Sequence, residues 1–257
     1  MPDAQAEAPG LPDRARRRFG LISDIHANLH ALRAVLDQID RAGVDCIYCC
    51  GDVVGYGPFP NECCDILRDR AIPTLAGNHD YAALGLTTIE YFNEVAKRAV
   101  QWTRQQLRPD NAEFLRHLPL TLEEDDFLLV HASPVEPREW NYVLTLSDAR
   151  EAFRRFSRPL CFIGHSHQPF IVRKKGGDLV PLERPSAVLE ADCRYLVNVG
   201  SVGQPRDQNQ QASYALYDRA LRTVEIQRCS YDVAATQAAI RDCQLPLELG
   251  DRLAHGW

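Results

Sequence analysis

Five short apolar runs in this chain each end directly on residues of the kind that bind metal ions. Phe19–Ile22 leads into Asp24 and His26, and Cys46–Cys50 into Gly51-Asp52. Ala71–Ala76 leads into Gly77-Asn78-His79-Asp80, Phe127–Val130 into His131, and Leu160–Ile163 into Gly164-His165-Ser166-His167. A short apolar run bounded by turn residues reads as a buried strand. In open α/β sheets, sites form where loops leave the carboxyl ends of strands. The five strand ends are therefore expected to meet at one place, and the fold must bring them there.

The order of elements fits an α/β chain. A strand near 18–24 is followed by a helix capped by Asn28, with Leu29, Leu32, Val35, Leu36 and Ile39 on one face. Gly43 ends it. A strand near 45–50, a helix near 61–70 and a third strand at 71–76 complete β-α-β-α-β spacing, which predicts a parallel sheet with right-handed crossovers. Residues 80–120 read as a helical insertion over or beside the site. A second series comes next: a strand at 126–131, a helix near 147–156 and a strand at 159–163. Short strands at 169–173, 194–199, 212–218 and 222–228 predict a mostly antiparallel second sheet. A last helix near 231–242 precedes a polar tail.

Composition narrows the class. The chain has 257 residues, 45% hydrophobic and 25% charged, an ordinary globular balance with room for a sizeable core. We expect one domain over 18–245, a disordered leader over 1–17 and the tail over 246–257. The leader is rich in Ala, Pro and Arg. Asp3, Glu7 and Asp13 argue against a transit peptide, while the Arg14–Arg18 cluster can either touch a polyanion or stay solvated. The net charge of -6 implies no general affinity for nucleic acid or anionic membrane. No apolar run approaches the roughly 18 residues of a membrane span. Nine cysteines, an odd number with two adjacent pairs, point to a reducing cytoplasm rather than a disulfide framework. Cys46-x-x-Cys49 lacks a second pair and reads as small buried hydrophobes.

The ligand candidates are Asp24, His26, Asp52, Asn78, His131, His165 and His167, with His79 beside them. Five of the eight histidines lie in these motifs. Mixed imidazole and carboxylate suits zinc, manganese, iron or nickel better than calcium or magnesium. Seven ligands exceed one tetrahedral zinc and suit two ions that share a carboxylate. In extended chain, residues two apart point the same way, so Asp24/His26 and His165/His167 are each expected to reach one centre. His30, His117 and His255 have no such setting.

Taken in series, Asp24-x-His26, Gly51-Asp52, Gly77-Asn78-His79-Asp80, His131 and Gly164-His165-x-His167 resemble the calcineurin-like metallophosphoesterases, over about residues 19–205. The resemblance implies a four-layer α-β-β-α sandwich of two mixed sheets flanked by helices. It also implies two divalent or transition-metal ions between them (Mn, Fe, Zn or Ni). Asp24, His26, Asp52 and His167 would bind the first ion, and Asp52, Asn78, His131 and His165 the second, with Asp52 bridging. His79 would act on the substrate, together with Asn78. Two divalent ions against two aspartates and a shared hydroxide leave a locally positive site, able to hold a phosphate in an acidic chain and to activate the attacking water. Asp80 can orient His79 or simply cap the next helix.

The residues after Asp52 narrow the substrate. The protein Ser/Thr phosphatase branch carries Asp-Arg-Gly there, whereas this chain reads Val53-Val54-Gly55-Tyr56-Gly57-Pro58. That resembles the branch of small bacterial phosphodiesterases and diadenosine tetraphosphatase-like enzymes. Asn198–Asp207 is similar to a segment of the same branch; its glycines and Ser201 allow close approach to an anion. Arg206 can clamp phosphate, or pair with Asp207 in a structural turn. Tyr56, Tyr81, Arg138, Trp140 and Tyr142 can stack a base or pack the insertion. The expected activity is hydrolysis of phosphodiester or phosphoanhydride bonds in small, nucleotide-like molecules. The alternatives are a phosphomonoesterase or protein phosphatase, and a non-catalytic scaffold of the same fold.

Overall fold

The structure, a computed structural model, describes residues 17–257, so the expected leader lies outside the described residues except for Arg17. Alternation within the strands decides the layers. In β1 (Arg18–Ile22) Phe19 and Leu21 face one way and Ile22 the other; in β2 (Cys46–Cys49) Tyr48 opposes Ile47 and Cys49. Helix α1 (Leu29–Ala42), capped by the Asn28 side chain and ended by left-handed Gly43, packs Leu32, Val35 and Ile39 on the Ile22/Ile47 face. Helix α2 (Pro60–Asp69) adds Cys63, Cys64 and Leu67 to the same core.

The second sheet repeats the arrangement. In β4 (Phe127–Val130) and β5 (Leu160–Ile163), Phe127, Leu129, Leu160 and Phe162 point inward, while Val130, Cys161 and Ile163 meet Ala149 and Ala152 of α6 (Leu146–Ala152). The inward residues of both sheets form one core in which Phe127 makes edge contacts with Phe19, Tyr48, Phe162 and Tyr217. The result is two mixed sheets flanked by helices.

The strands are distributed differently from the expectation. After β3 (Thr121–Glu123), β6 (Phe170–Lys175), β7 (Asp178–Pro181) and β9 (Cys193–Asn198), the second sheet has the order β3-β4-β5-β9-β6-β7. The later hairpin of β10 (Ala212–Asp218) and β11 (Thr223–Cys229) returns to the first sheet, with β10 antiparallel to β1 and β8 (Ser186–Val188) at the far edge. The first sheet is therefore mixed rather than parallel. The expected strand at 71–76 reduces to one bridge, Thr74 opposite Cys49. Pro73 has no N–H to extend the ladder, and Ala76 already donates to the Pro119 carbonyl.

Three helices occupy the insertion: α3 (Asn78–Ala83), α4 (Glu94–Gln106) and α5 (Pro109–Arg116). Helix α7 (Val233–Asp242) follows the last strand. The expected polar tail is instead helix α8 (Leu247–His255), which buries Leu249 and Leu253 with Ile240 and Tyr56 and ends on left-handed Gly256. Among the described residues no helix is long and apolar enough to cross a membrane.

Candidate metal centre

The strand ends turn through unusual backbone. Asp24, His26, Asp52, His165 and His167 all have φ between +48° and +65°, a left-handed region that costs non-glycine residues energy and persists only where surroundings impose it. The loops hold one another: Asp24 N–H donates to Gly51 O, His26 N–H to Asp52 O, and Gly164 N–H to His131 O. This corrects the expectation of extended pairs. His165 and His167 do not reach one centre; they diverge to two. Two glycines let the loops close. A Cβ on Gly77 would lie 2.0 Å from Asp52 Oδ1, and one on Gly164 would lie 2.0 Å from Ser23 Oγ.

Two ligand groups result. Asp24, His26 and His167 each bring a ligand atom within 4.8 Å of the others, as do Asp52, His131 and His165. Asp52 Oδ2 stands between them, 3.6 Å from His26 Nε2 and 3.4 Å from His131 Nε2. His167 Nε2 is 3.3 Å from Asp24 Oδ1.

The hydrogen bonds fix which atoms are left over. His26, His131 and His167 each place Nδ1 on a backbone carbonyl, of Val54, Cys50 and Gln204 respectively. A carbonyl only accepts, so Nδ1 carries a proton, and whenever the ring is neutral Nε2 presents a lone pair. The Nε2 atoms of His26 and His167 then face each other at 3.0 Å, two lone pairs with no proton between them. Asp24 and Asp52 each spend one oxygen on a backbone amide, of His165 and His79. Asp24 Oδ1, Asp52 Oδ2, Asn78 Oδ1, His131 Nε2 and His165 Nε2 remain buried without a hydrogen-bond partner. Leaving such atoms unpaired is costly. Cations in the two groups would satisfy the aspartate and imidazole atoms, and the donor set, imidazole with carboxylate, fits divalent transition ions.

Charge at the site follows from burial and proximity. Burial opposes ionisation of both aspartates, but neighbouring imidazoles, His167 for Asp24 and His131 for Asp52, hold them well below the usual carboxylate range. Burial also holds His26 and His167 low, and brings His165 down to about 3. His131 is the exception: burial opposes its charge, yet Asp52 raises it to about 9.

The remaining candidates sit around these groups. Asn78 opens α3, its Oδ1 among the unpaired atoms. His79 is buried among Tyr56, Phe92 and His26, with ring centroids 4.4–4.9 Å away. Burial lowers it to about 4, so it is a neutral imidazole. Asp80 does not hydrogen-bond to the His79 imidazole. It is fully buried, and its two oxygens accept from Val54 N and Gly77 N, tying the Asp52 loop to the α3 turn. Burial, then Asp52, raises it to about 7. Arg206 does not pair with Asp207, which binds Arg228 instead. Its guanidinium donates to Gln204 Oε1 and lies over the Tyr56 ring. The 198–205 segment is not open to an anion: Ser201 Oγ and Gly203 N both donate to the Asp24 carbonyl, and a Cβ on Gly203 would strike Ile25 O. It buttresses the Asp24 loop.

Above the ligands lies a cleft of two lobes, of about 240 and 390 Å³. Tyr56 and Tyr142 line it as the sequence allows, and Tyr142 stacks on His165 at 4.0 Å. Trp140 and Arg138 line the larger lobe; Tyr81 packs on Trp140 instead. Tyr91, Phe92, Arg252 and Trp257 also line the cleft, and no motif in the sequence marks them as site residues. A signal for Arg252 is nevertheless present: Leu249 and Leu253 at helical spacing, followed by Gly256 as a C-cap.

Comparison with known proteins agrees with this geometry. The family model for the calcineurin-like phosphoesterase superfamily domain matches residues 18–220. An uncharacterized protein of Methanocaldococcus jannaschii is 40% identical over 242 residues, covering 93% of this chain and 98% of that protein. The crystal structure of a metallophosphoesterase from Sphaerobacter thermophilus superposes with a TM-score of 0.82 at 38% identity, covering 94% of this chain and 100% of that one. A symmetrical bis(5'-nucleosyl)-tetraphosphatase from Actinobacillus pleuropneumoniae is 29% identical over 141 residues, about half of each chain (51% and 50%). With two sheets whose strand ends gather paired His/Asp groups around Asp52, and with a family match over most of its length, the chain belongs to the calcineurin-like phosphoesterase superfamily and is a metal-dependent phosphoesterase.

Proposed function

We propose that the protein hydrolyses phosphodiester or phosphoanhydride bonds of small, nucleotide-like molecules at a dinuclear centre. Asp24, His26 and His167 would hold one ion and Asn78, His131 and His165 the other, with Asp52 between the two groups. The observation that carries this is the set of buried, unpaired ligand atoms on both sides of that oxygen. Bound there, two divalent ions would lower the pKa of water and neutralise charge on the phosphoryl oxygens.

The chain's own residues do the rest. The carbonyls of Val54, Cys50 and Gln204 keep the Nδ1 protons in place, so that the Nε2 lone pairs stay aimed inward. His79, neutral and held by its aromatic neighbours, presents an N–H to the substrate oxygens and stabilises the charge developing on the leaving group. Arg206 has no carboxylate partner among the described residues and is free to bind a phosphoryl oxygen. Tyr142 and Trp140 offer flat apolar surface for a base or sugar.

The likeness to a bis(5'-nucleosyl)-tetraphosphatase supports a nucleotide-like substrate. The test is a panel with manganese: bis-p-nitrophenyl phosphate, p-nitrophenyl phosphate, dinucleoside polyphosphates, cyclic nucleotides and a phosphopeptide. Highest kcat/KM on a diester or a nucleoside polyphosphate is expected. Turnover confined to the phosphopeptide or to the monoester would overturn the substrate reading.

A further inference from the structure

The two lobes of the cleft differ in chemistry. They share Asn78, Tyr91, Phe92 and Tyr142, so they meet above the ligand groups. The larger lobe, about 390 Å³, adds His165, Trp140 and Arg138 and has the size of a small-molecule site. The smaller, about 240 Å³, adds His79, Arg206, Arg252 and Trp257. It is below the usual size for a whole drug-like ligand. Its lining contains two guanidinium groups and no carboxylate side chain.

Neither arginine is neutralised among the described residues. Arg206 spends Nη2 on Gln204 Oε1 and the Tyr56 hydroxyl, and its buried Nε has no partner. Arg252 reaches the lobe from α8, with its position fixed by Leu249 and Leu253 packed against Tyr56 and Ile240. In a chain of net charge -6, two guanidiniums without a carboxylate partner among the described residues, lining one small cavity, make a local anion site. His79 lines the same lobe.

Resting on the proposed hydrolase function, we infer that the smaller lobe is a subsite for a second phosphate, which makes the substrate class a phosphoanhydride, with Arg252 of the last helix as a specificity-determining residue. The nucleoside occupies the larger lobe against Trp140 and Tyr142. Water supplies the oxygen that bonds to phosphorus. The anhydride P–O bond breaks, and its electron pair leaves on the second phosphate, whose charge Arg206 and Arg252 balance. The protons of the water pass to the phosphate products and solvent. A simple ester would leave the lobe's two cations without a partner.

The test has a binding arm and a kinetic arm, both on the full-length, manganese-loaded protein. Calorimetry compares inorganic pyrophosphate with orthophosphate. The wild type is expected to bind pyrophosphate at least about tenfold more tightly, and Arg252→Gln to lose that preference, as for one charge-assisted contact. In kinetics, Arg252→Gln should lower the ratio of kcat/KM for ADP to that for bis-p-nitrophenyl phosphate by about tenfold or more, with partial recovery in Arg252→Lys. Equal affinity of the wild type for the two anions, or an unchanged ratio in Arg252→Gln, would overturn the subsite. Absence of any wild-type turnover of bis-p-nitrophenyl phosphate and ADP would instead remove the hydrolase function on which the subsite rests.

Discussion

His79 shows how one residue's setting defines its work. It follows Asn78 directly, and its ring packs against Tyr56 and Phe92 and against His26 of the first ligand group. Its backbone N–H donates to Asp52 Oδ1, so the residue steadies the shared carboxylate with its amide while its imidazole faces the cleft. Replacing the side chain leaves the amide in place. His79→Ala should therefore keep its metals and lower kcat by about 10²–10⁴-fold, as for loss of a positioned proton-bearing group. Metal analysis and steady-state kinetics on the same sample check both halves; retained kcat would remove its role.

At the scale of elements, turns matter more than strands. Gly77 has φ of -111°, which any residue can adopt, so its glycine is explained by contact and not by conformation. A methyl there would press on Asp52 Oδ1 and N. Gly77→Ala should lose about 1–3 kcal/mol of stability and bind manganese much more weakly. A denaturant melt and a metal titration matching wild type would contradict this. The strand ends and the His/Asp groups gathered there were legible because an apolar run ending on Asp or His is a local pattern. The left-handed turns were not, since φ at Asp24 or His167 is imposed by bonds to distant loops. Nor was the partition of strands between sheets, because β10 pairs with β1 across nearly the whole chain. Helix α8 was hidden by its polar face, although Leu249, Leu253 and Gly256 marked it. For Arg206 the residue was legible, but its freedom from Asp207 depended on Arg228, which no local spacing reveals.

At the scale of the molecule, the fold holds a cluster of imidazoles in a form that acid disfavours. Without metal, His26, His79, His165 and His167 sit below the ordinary value of 6.5, chiefly through burial. An unfolded chain takes up protons on all five site imidazoles as pH falls from about 7 to about 5. The folded chain takes up fewer: His79 and His165 stay largely neutral, burial holds His26 well below its ordinary value and His167 below it, His131 already holds its proton, and Asp80 gains one. The unfolded state binds more protons, so stability is present above about pH 6.5 and is lost as pH falls toward the folded-state values. His79 alone, lowered to about 4, accounts for about 2 kcal/mol by about pH 5. Calorimetry of metal-free protein should show a lower Tm at about pH 5.5 than at about pH 7.5; an equal or higher Tm would contradict the burial of neutral imidazoles. Metal affinity should fall over the same range, since protons and ions compete for the same Nε2 atoms.

The proposed function rests on two ion sites that share Asp52. The most direct measurement is the metal content of the manganese-reconstituted protein, with His165→Ala alongside. About two ions per chain in the wild type and about one in His165→Ala are predicted. Fewer than about one ion per chain in the wild type, or equal content in the variant, would contradict a shared dinuclear centre.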